Sequence, residues 1–282
     1  MDKIYLQEKL NDFIDEQRLD EKTHKTLIDY KNAINKLIDF SPNEEFELNK
    51  DFVMKFKDYL VDQKYAIKSR NKYIIIINKF LKYLGYSNCT VKKFKEQQKS
   101  SLDEIIEIQE HKRMLRWAKK LNMMDMYYII EIFANSGARV DELKYFTVES
   151  IESNYIKGAF NKGKERTLIL TNQLRRDLKH YCKLNKINSG YIFISPKIKN
   201  KMLNNSTIWR RLKKIARCAK INPNKIHPHA WRHLFAKKCK EIGIDLDELA
   251  DILGHCNINT TALYTKTSNK EKKEKLEKLW KK

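Results

Sequence analysis

The side chains most able to do chemistry fall in four short segments. Residues 135–143 (NSGARVDEL) hold Arg139 and, three positions on, Glu142. Ser136 or Asn135 is expected to cap a helix starting there, with Arg139 in its first turn. A cation sits badly at a helix N-terminus, whose amides already carry partial positive charge, unless an anion docks there. An Arg139–Glu142 surface ion pair explains the same spacing equally well. Residues 227–239 (HPHAWRHLFAKKC) hold His229, Arg232 and His233, with Pro228 suited to a first helical turn. In residues 245–266, Gly254 ends an amphipathic helix, His255 follows at once, and Tyr264 lies nine positions beyond that histidine. Taken singly, His255 reads as a helix-ending donor and Tyr264 as a half-buried core residue. The turn Asn161-Lys162-Gly163-Lys164 carries two lysines that, alone, read as solvated tip residues.

The spacing of His229 and His233 is that of a helical zinc site. Ala230 stands where such a helix carries its glutamate, Arg232 would hold a cation beside the ion, and no cysteine or carboxylate cluster adds ligands. No metal is expected. Together, two arginines, two histidines, a turn lysine and one phenol form a set without a catalytic carboxylate, and that set suits a phosphodiester. Two guanidiniums clamp both non-bridging oxygens and stabilise the charge of a pentacoordinate transition state. A phenol attacks phosphorus while imidazole handles its proton, and a lysine protonates the departing alkoxide. That chemistry asks for no cofactor.

The elements that must position these groups are mostly helices. Of 282 residues only seven are Gly and four Pro, while 41% are hydrophobic and 33% charged, which predicts a folded, helix-rich chain. Apolar stripes predict helices near 4–16, 21–40, 50–62 (after the cap candidate Asn49) and 68–84 (before a Gly85 stop). These make a compact four-helix unit over 1–90. A Lys-, Gln- and Ser-rich linker is expected over 91–101, and a second domain over 102–282. A helical stretch is expected to run from Leu102 through the apolar 123–134 segment to a break at Asn135-Ser136-Gly137. Residues 155–170 read as a β-hairpin about the lysine-bearing turn. The fold class is therefore mainly α with a small β-hairpin. Leu276, Leu279 and Trp280 share one face of a Lys-rich terminal helix.

With 58 Lys and Arg against 36 Asp and Glu, the formal charge is +22, which calls for a polyanionic partner: nucleic acid first, an anionic membrane surface second. Lys64, Lys68, Arg70 and Lys72 crowd the start of the fourth helix and are candidate DNA contacts. Five scattered cysteines without a C-x-x-C pair, an N-terminus where charged residues alternate with apolar ones and no long apolar run lead to the expectation of a cytoplasmic protein with no membrane segment.

In order along the chain, these motifs resemble those of the tyrosine recombinases of the integrase family. Ser136-Gly137-Ala138-Arg139-Val140-Asp141-Glu142-Leu143 is similar to the family's first-arginine box. Lys162-Gly163-Lys164-Glu165-Arg166 resembles its hairpin segment, one residue shorter than usual. His227-Pro228-His229-Ala230-Trp231-Arg232-His233 resembles the H-x-x-R box, and Leu253-Gly254-His255 with Tyr264 the nucleophile box. The resemblance implies that Arg139 and Arg232 grip the scissile phosphate and that Tyr264 attacks it to form a 3′-phosphotyrosyl bond, without metal or ATP. It further implies that His229 acts in proton transfer, His255 bonds a non-bridging oxygen, and Glu142 and His233 support them. Lys162, which precedes the turn glycine, is favoured over Lys164 as general acid. The first unit resembles the family's core-binding domain, a DNA clamp, and the second its catalytic domain. The partners implied are double-stranded DNA with paired inverted half-sites and a homotetramer assembled on it through the C-terminal helix, nucleoid-associated if the source is prokaryotic. A monomeric type IB topoisomerase-like relaxing enzyme and a non-catalytic basic DNA-binding protein are the alternatives.

Overall fold

The computed structural model describes residues 1–96, 106–161, 164–196, 198, 201–254, 261, 273, 276 and 277; for residues 160, 161 and 164 the description is of the backbone. The chain divides into two compact units, Met1–Gln98 and Lys99–Lys282.

The first unit is built on four helices: α1 (Lys3–Leu19), α2 (His24–Phe40), α3 (Lys50–Asp62) and α4 (Ile67–Tyr83). Side chains of Asp2, Thr23 and Asn49 accept from the amides of Tyr5, Thr26 and Phe52 and so start α1, α2 and α3. Gly85 follows α4 at φ +86°, a conformation that L side chains avoid. The apolar stripes of the four helices meet in a core that includes Phe13, Ile34, Phe56, Ile77 and Phe80, each with an exposure of at most 1%. Beyond Gly85 the structure departs from the expected linker. Residues 91–96 lie along α4 and are held there by two asparagines seven positions apart. Asn78 accepts from the amide of Val91 (3.0 Å) and donates to its carbonyl (2.8 Å). Asn71 does the same for Phe94, at 2.8 and 3.1 Å. The amide side chains stand in for a neighbouring strand, which no hydrophobic pattern announces.

The second unit carries α5 (Ile108–Lys120), α6 (Met124–Ser136), β1 (Tyr155–Asn161), β2 (Lys164–Ile169), α7 (Asn172–Leu184), α8 (Asn205–Cys218), α9 (Pro228–Glu241) and α10 (Leu246–Leu253). The helical stretch expected between Leu102 and Gly137 is two helices, broken at Asn122, whose φ is +53°. The hairpin forms as expected, with Asn161 paired to Lys164 across the turn and a bulge between Ile156 and Ala159. Helices α5, α6, α8 and α9 enclose a core of Met114, Ile129, Phe133, Leu212 and Trp231, all with an exposure of 0%. Leu276 lies in the terminal segment, helical and 59% exposed, while Leu279 and Trp280 lie outside the described residues. Among the described residues no helix is long and apolar enough to cross a membrane.

Candidate active site

Helix α6 ends in Gly137, left-handed at φ +60°. A Cβ at this position would lie 2.7 Å from Phe235 on α9 and 2.9 Å from Leu253 on α10, so only glycine lets the three helix segments meet here. Two residues on, Arg139 stands at the head of a six-residue 3₁₀ turn, Val140–Tyr145. This corrects the α-helix expected from residue 136: Ser136 closes α6, its hydroxyl donating to the Ile132 carbonyl at 2.7 Å. The carboxylate of Glu142 caps the 3₁₀ turn by accepting from the Arg139 amide at 2.7 Å, and it accepts from the Arg139 guanidinium at 2.9 Å. The pair is no surface ornament, because Glu142 is fully buried.

A third arginine completes this arrangement, and its role was not visible in the sequence. Arg166 on β2 is 7% exposed, and its guanidinium reaches both oxygens of Glu142, at 2.5 and 3.2 Å. Burial pushes the Glu142 carboxyl up, but the charge and hydrogen bonds of Arg166, with those of Arg139, outweigh it and hold the group below the ordinary glutamate value. The carboxylate is thus ionised between two guanidiniums. A charged residue in a strand of alternating polarity reads as solvent-facing, and only its place in the hairpin motif marked it.

Arg232, on α9, is 1% exposed and donates to the carbonyls of Gly137 (2.5 Å) and Leu253. Arg166 donates to the Ile252 carbonyl at 2.6 Å and Arg139 to that of Gly254 at 3.3 Å. Three consecutive carbonyls at the C-terminus of α10 therefore each accept from a different arginine. The negative end of the helix and its orphan carbonyls are favourable partners for three guanidiniums. Arg139 is the most open of the three, with 21% of its side chain exposed.

Pro228 occupies the first turn of α9, and the next residues place His229 at the surface and His233 one turn on, half-buried. Between them Trp231 is fully buried, its indole N–H donating to Nδ1 of His111 at 3.2 Å. Lys162, His255 and Tyr264 lie outside the described residues. The elements that lead to them are defined: β1 and β2 on either side of Lys162, Gly254 (φ +62°) directly before His255, and Thr261, helical and fully buried, three residues before Tyr264.

In the first unit, Lys64 and Lys68 are exposed, whereas the other two candidate DNA contacts have partners within the chain. Lys72 pairs with Asp29 at 2.7 Å, and Arg70 donates to the Tyr65 carbonyl at 2.5 Å beneath the ring of Phe94. A groove of about 640 Å³ beside α4 is lined by Lys79, Lys82, Lys92, Lys93 and Lys95. Among its described lining residues there is no carboxylate. The run Lys92-Lys93-Phe94-Lys95 was the available signal, obscured by its reading as linker.

Two helical units, with three arginines gathered at the end of α10 beside the hairpin, fit an enzyme that works on DNA strands. Residues 104–271 match the phage integrase family and residues 7–84 the phage integrase SAM-like domain. The chain belongs to the phage integrase family. It is 28% identical to tyrosine recombinase XerA of Pyrococcus furiosus, over 98% of this chain and 95% of the relative. Tyrosine recombinase XerD of Vibrio vulnificus is 24% identical, over 88% of this chain and 87% of its own. Among solved structures, a lambda integrase dimer bound to a COC′ core site has the same fold, with a TM-score of 0.75 at 14% identity over 93% of this chain and 96% of that one. The Tn1549 transposon integrase in complex with transposon right end DNA gives 0.72 at 13% identity, over 97% and 99%. The protein is a tyrosine recombinase, an enzyme of site-specific DNA cleavage and rejoining. Its relatives are recombinases by name, which disfavours the supercoil-relaxing alternative.

Proposed function

We propose that the chain exchanges DNA strands through a covalent 3′-phosphotyrosyl intermediate formed on Tyr264. Arg139 and Arg232 take the non-bridging oxygens of the scissile phosphate. His229 relays the proton of the phenol, with His233 beside it on α9, and His255 donates to a phosphate oxygen. Lys162 protonates the departing 5′-oxygen. Each covalent step exchanges one phosphoester for another, so the bond energy is kept and the strand can be resealed without an energy source.

The observation that carries this reading is the convergence of Arg139 and Arg232 on the last turn of α10, the segment that leads into His255 and Tyr264. The DNA partner is a pair of inverted half-sites, bound by the first unit through its lysine-lined groove and the exposed Lys64 and Lys68, and by the second at the cleavage point. Four protomers assemble on two such duplexes, with the terminal helix bearing Leu276, Leu279 and Trp280 docked on a neighbour. The test is Tyr264→Phe on a suicide-nicked site. The variant is expected to bind the duplex as the parent does and to form no denaturation-resistant complex. A persistent covalent complex in that variant overturns the assignment.

A further inference from the structure

Arg166 has the burial and the bonding of a residue that aims others. Its guanidinium is engaged on every side: it donates to both oxygens of Glu142, to the Ile252 carbonyl at 2.6 Å and, at the longer distance of 3.5 Å, to the Gly137 carbonyl. Its aliphatic stem is equally fixed, since a Cβ on Gly254 would fall 2.6 Å from its Cδ. Five per cent of the side chain is exposed, and each of its three guanidinium nitrogens already donates within the chain. What it touches lies on three elements: the turn that carries Arg139, the end of α6, and the end of α10. Glu142 is shared evenly. Each of its oxygens accepts once from Arg139 and once from Arg166.

We propose that Arg166 is a positioning residue for strand cleavage, holding Arg139 through Glu142 in register with the last turn of α10. The inference rests on the reading of Arg139 as a phosphate clamp. Arg166 belongs to the hairpin strand that follows the lysine-bearing turn, so one guanidinium ties the hairpin, the arginine turn and the segment before His255 into a single frame. A lysine at 166 keeps the charge but cannot bridge Glu142 and the Ile252 carbonyl at once, because its single ammonium lacks the planar fork.

The experiment is single-turnover cleavage of a suicide-nicked duplex by the full chain at saturating protein, comparing Arg166→Lys, Glu142→Gln, Arg139→Lys and the double variant of Arg139 and Arg166. Arg166→Lys is expected to keep duplex affinity and full cleavage amplitude while its rate constant falls about 100-fold, the scale for a reacting group misplaced by an ångström. Glu142→Gln, which conserves size but removes the charge and one of the two shared acceptor oxygens, should fall similarly. The double variant should be far less impaired than the product of the two single defects, since both changes break one path. A neutral methylphosphonate at the scissile position lowers the demand for Arg139 and should shrink the Arg166→Lys defect with it. Multiplicative defects, or a native rate constant with reduced amplitude, would overturn the assignment and mark Arg166 as a fold residue only. If Arg139→Lys itself cleaves at the parental rate, the clamp reading and the inference fall together; a defect there with Arg166→Lys unimpaired sinks the inference alone.

Discussion

A guanidinium differs from an ammonium in having a rigid fork, and this site uses that difference three times. Arg139 and Arg232 each bond two acceptors on different segments, as a point charge cannot. Replacing either by lysine should therefore slow cleavage by about 100- to 1000-fold, the cost of losing one preorganised donor at a developing charge. Single-turnover rates with unchanged duplex affinity are the check, and a loss of under tenfold would argue against phosphate contact. A second residue-scale consequence concerns His111. Its ring is buried and accepts from Trp231, and burial first, then the charges of Lys238 and Lys112, lower its pKa to about 4. The unfolded chain takes up a proton near the ordinary value while the folded chain refuses it until about pH 4. Stability is thus full above the unfolded pKa and declines as pH drops through that window, by roughly 3 kcal/mol in all. His111→Asn keeps an acceptor for Trp231 and has nothing to titrate. Its urea midpoint should change less between pH 7 and pH 4.5 than the parent's, and identical pH slopes would contradict this account. Glu131, whose carboxyl is raised by burial, stands 3.9 Å from Nε2 of His111 and is present in both proteins.

At the scale of elements, local chemistry was legible wherever a residue acts on its own neighbours. Asn49 caps α3, Gly85 follows α4, Pro228 starts α9 and Gly254 ends α10, each from rules that span a few positions. Elements fixed by distant partners were not. The α-helix expected after Ser136 is instead a 3₁₀ turn, and the carboxylate that caps it, Glu142, is held by Arg166 from 24 positions away. The break at Asn122 falls in a run whose periodicity continues across it. Residues 91–96 looked like linker because their anchors are the side-chain amides of Asn71 and Asn78, two of the several polar residues of α4. Each of these asparagines satisfies a backbone amide and a carbonyl, so Asn78→Ala should cost about 1–3 kcal/mol. It should also speed hydrogen exchange at Val91. Unaltered exchange at that amide would mean that other interactions hold the segment.

For the molecule as a whole, a charge of +22 leads to affinity for DNA that weakens with salt. The lysine groove of the first unit is the proposed address. Neutralising Lys92, Lys93 and Lys95 to Gln should flatten the slope of log affinity against log salt by about 0.9 for each phosphate that is no longer neutralised. An unchanged slope would remove the groove from the interface. Sequence reached the family and the hairpin, because those rest on residue types at fixed spacing. It missed Arg166 and the groove, which exist only once the chain is folded. The central claim is that one phenol carries the severed strand, and peptide mapping of the trapped covalent complex addresses it most directly. A single nucleotide-bearing peptide containing Tyr264, joined through the 3′-phosphate, is the predicted result; an adduct on any other residue, or on the 5′-phosphate, would contradict it.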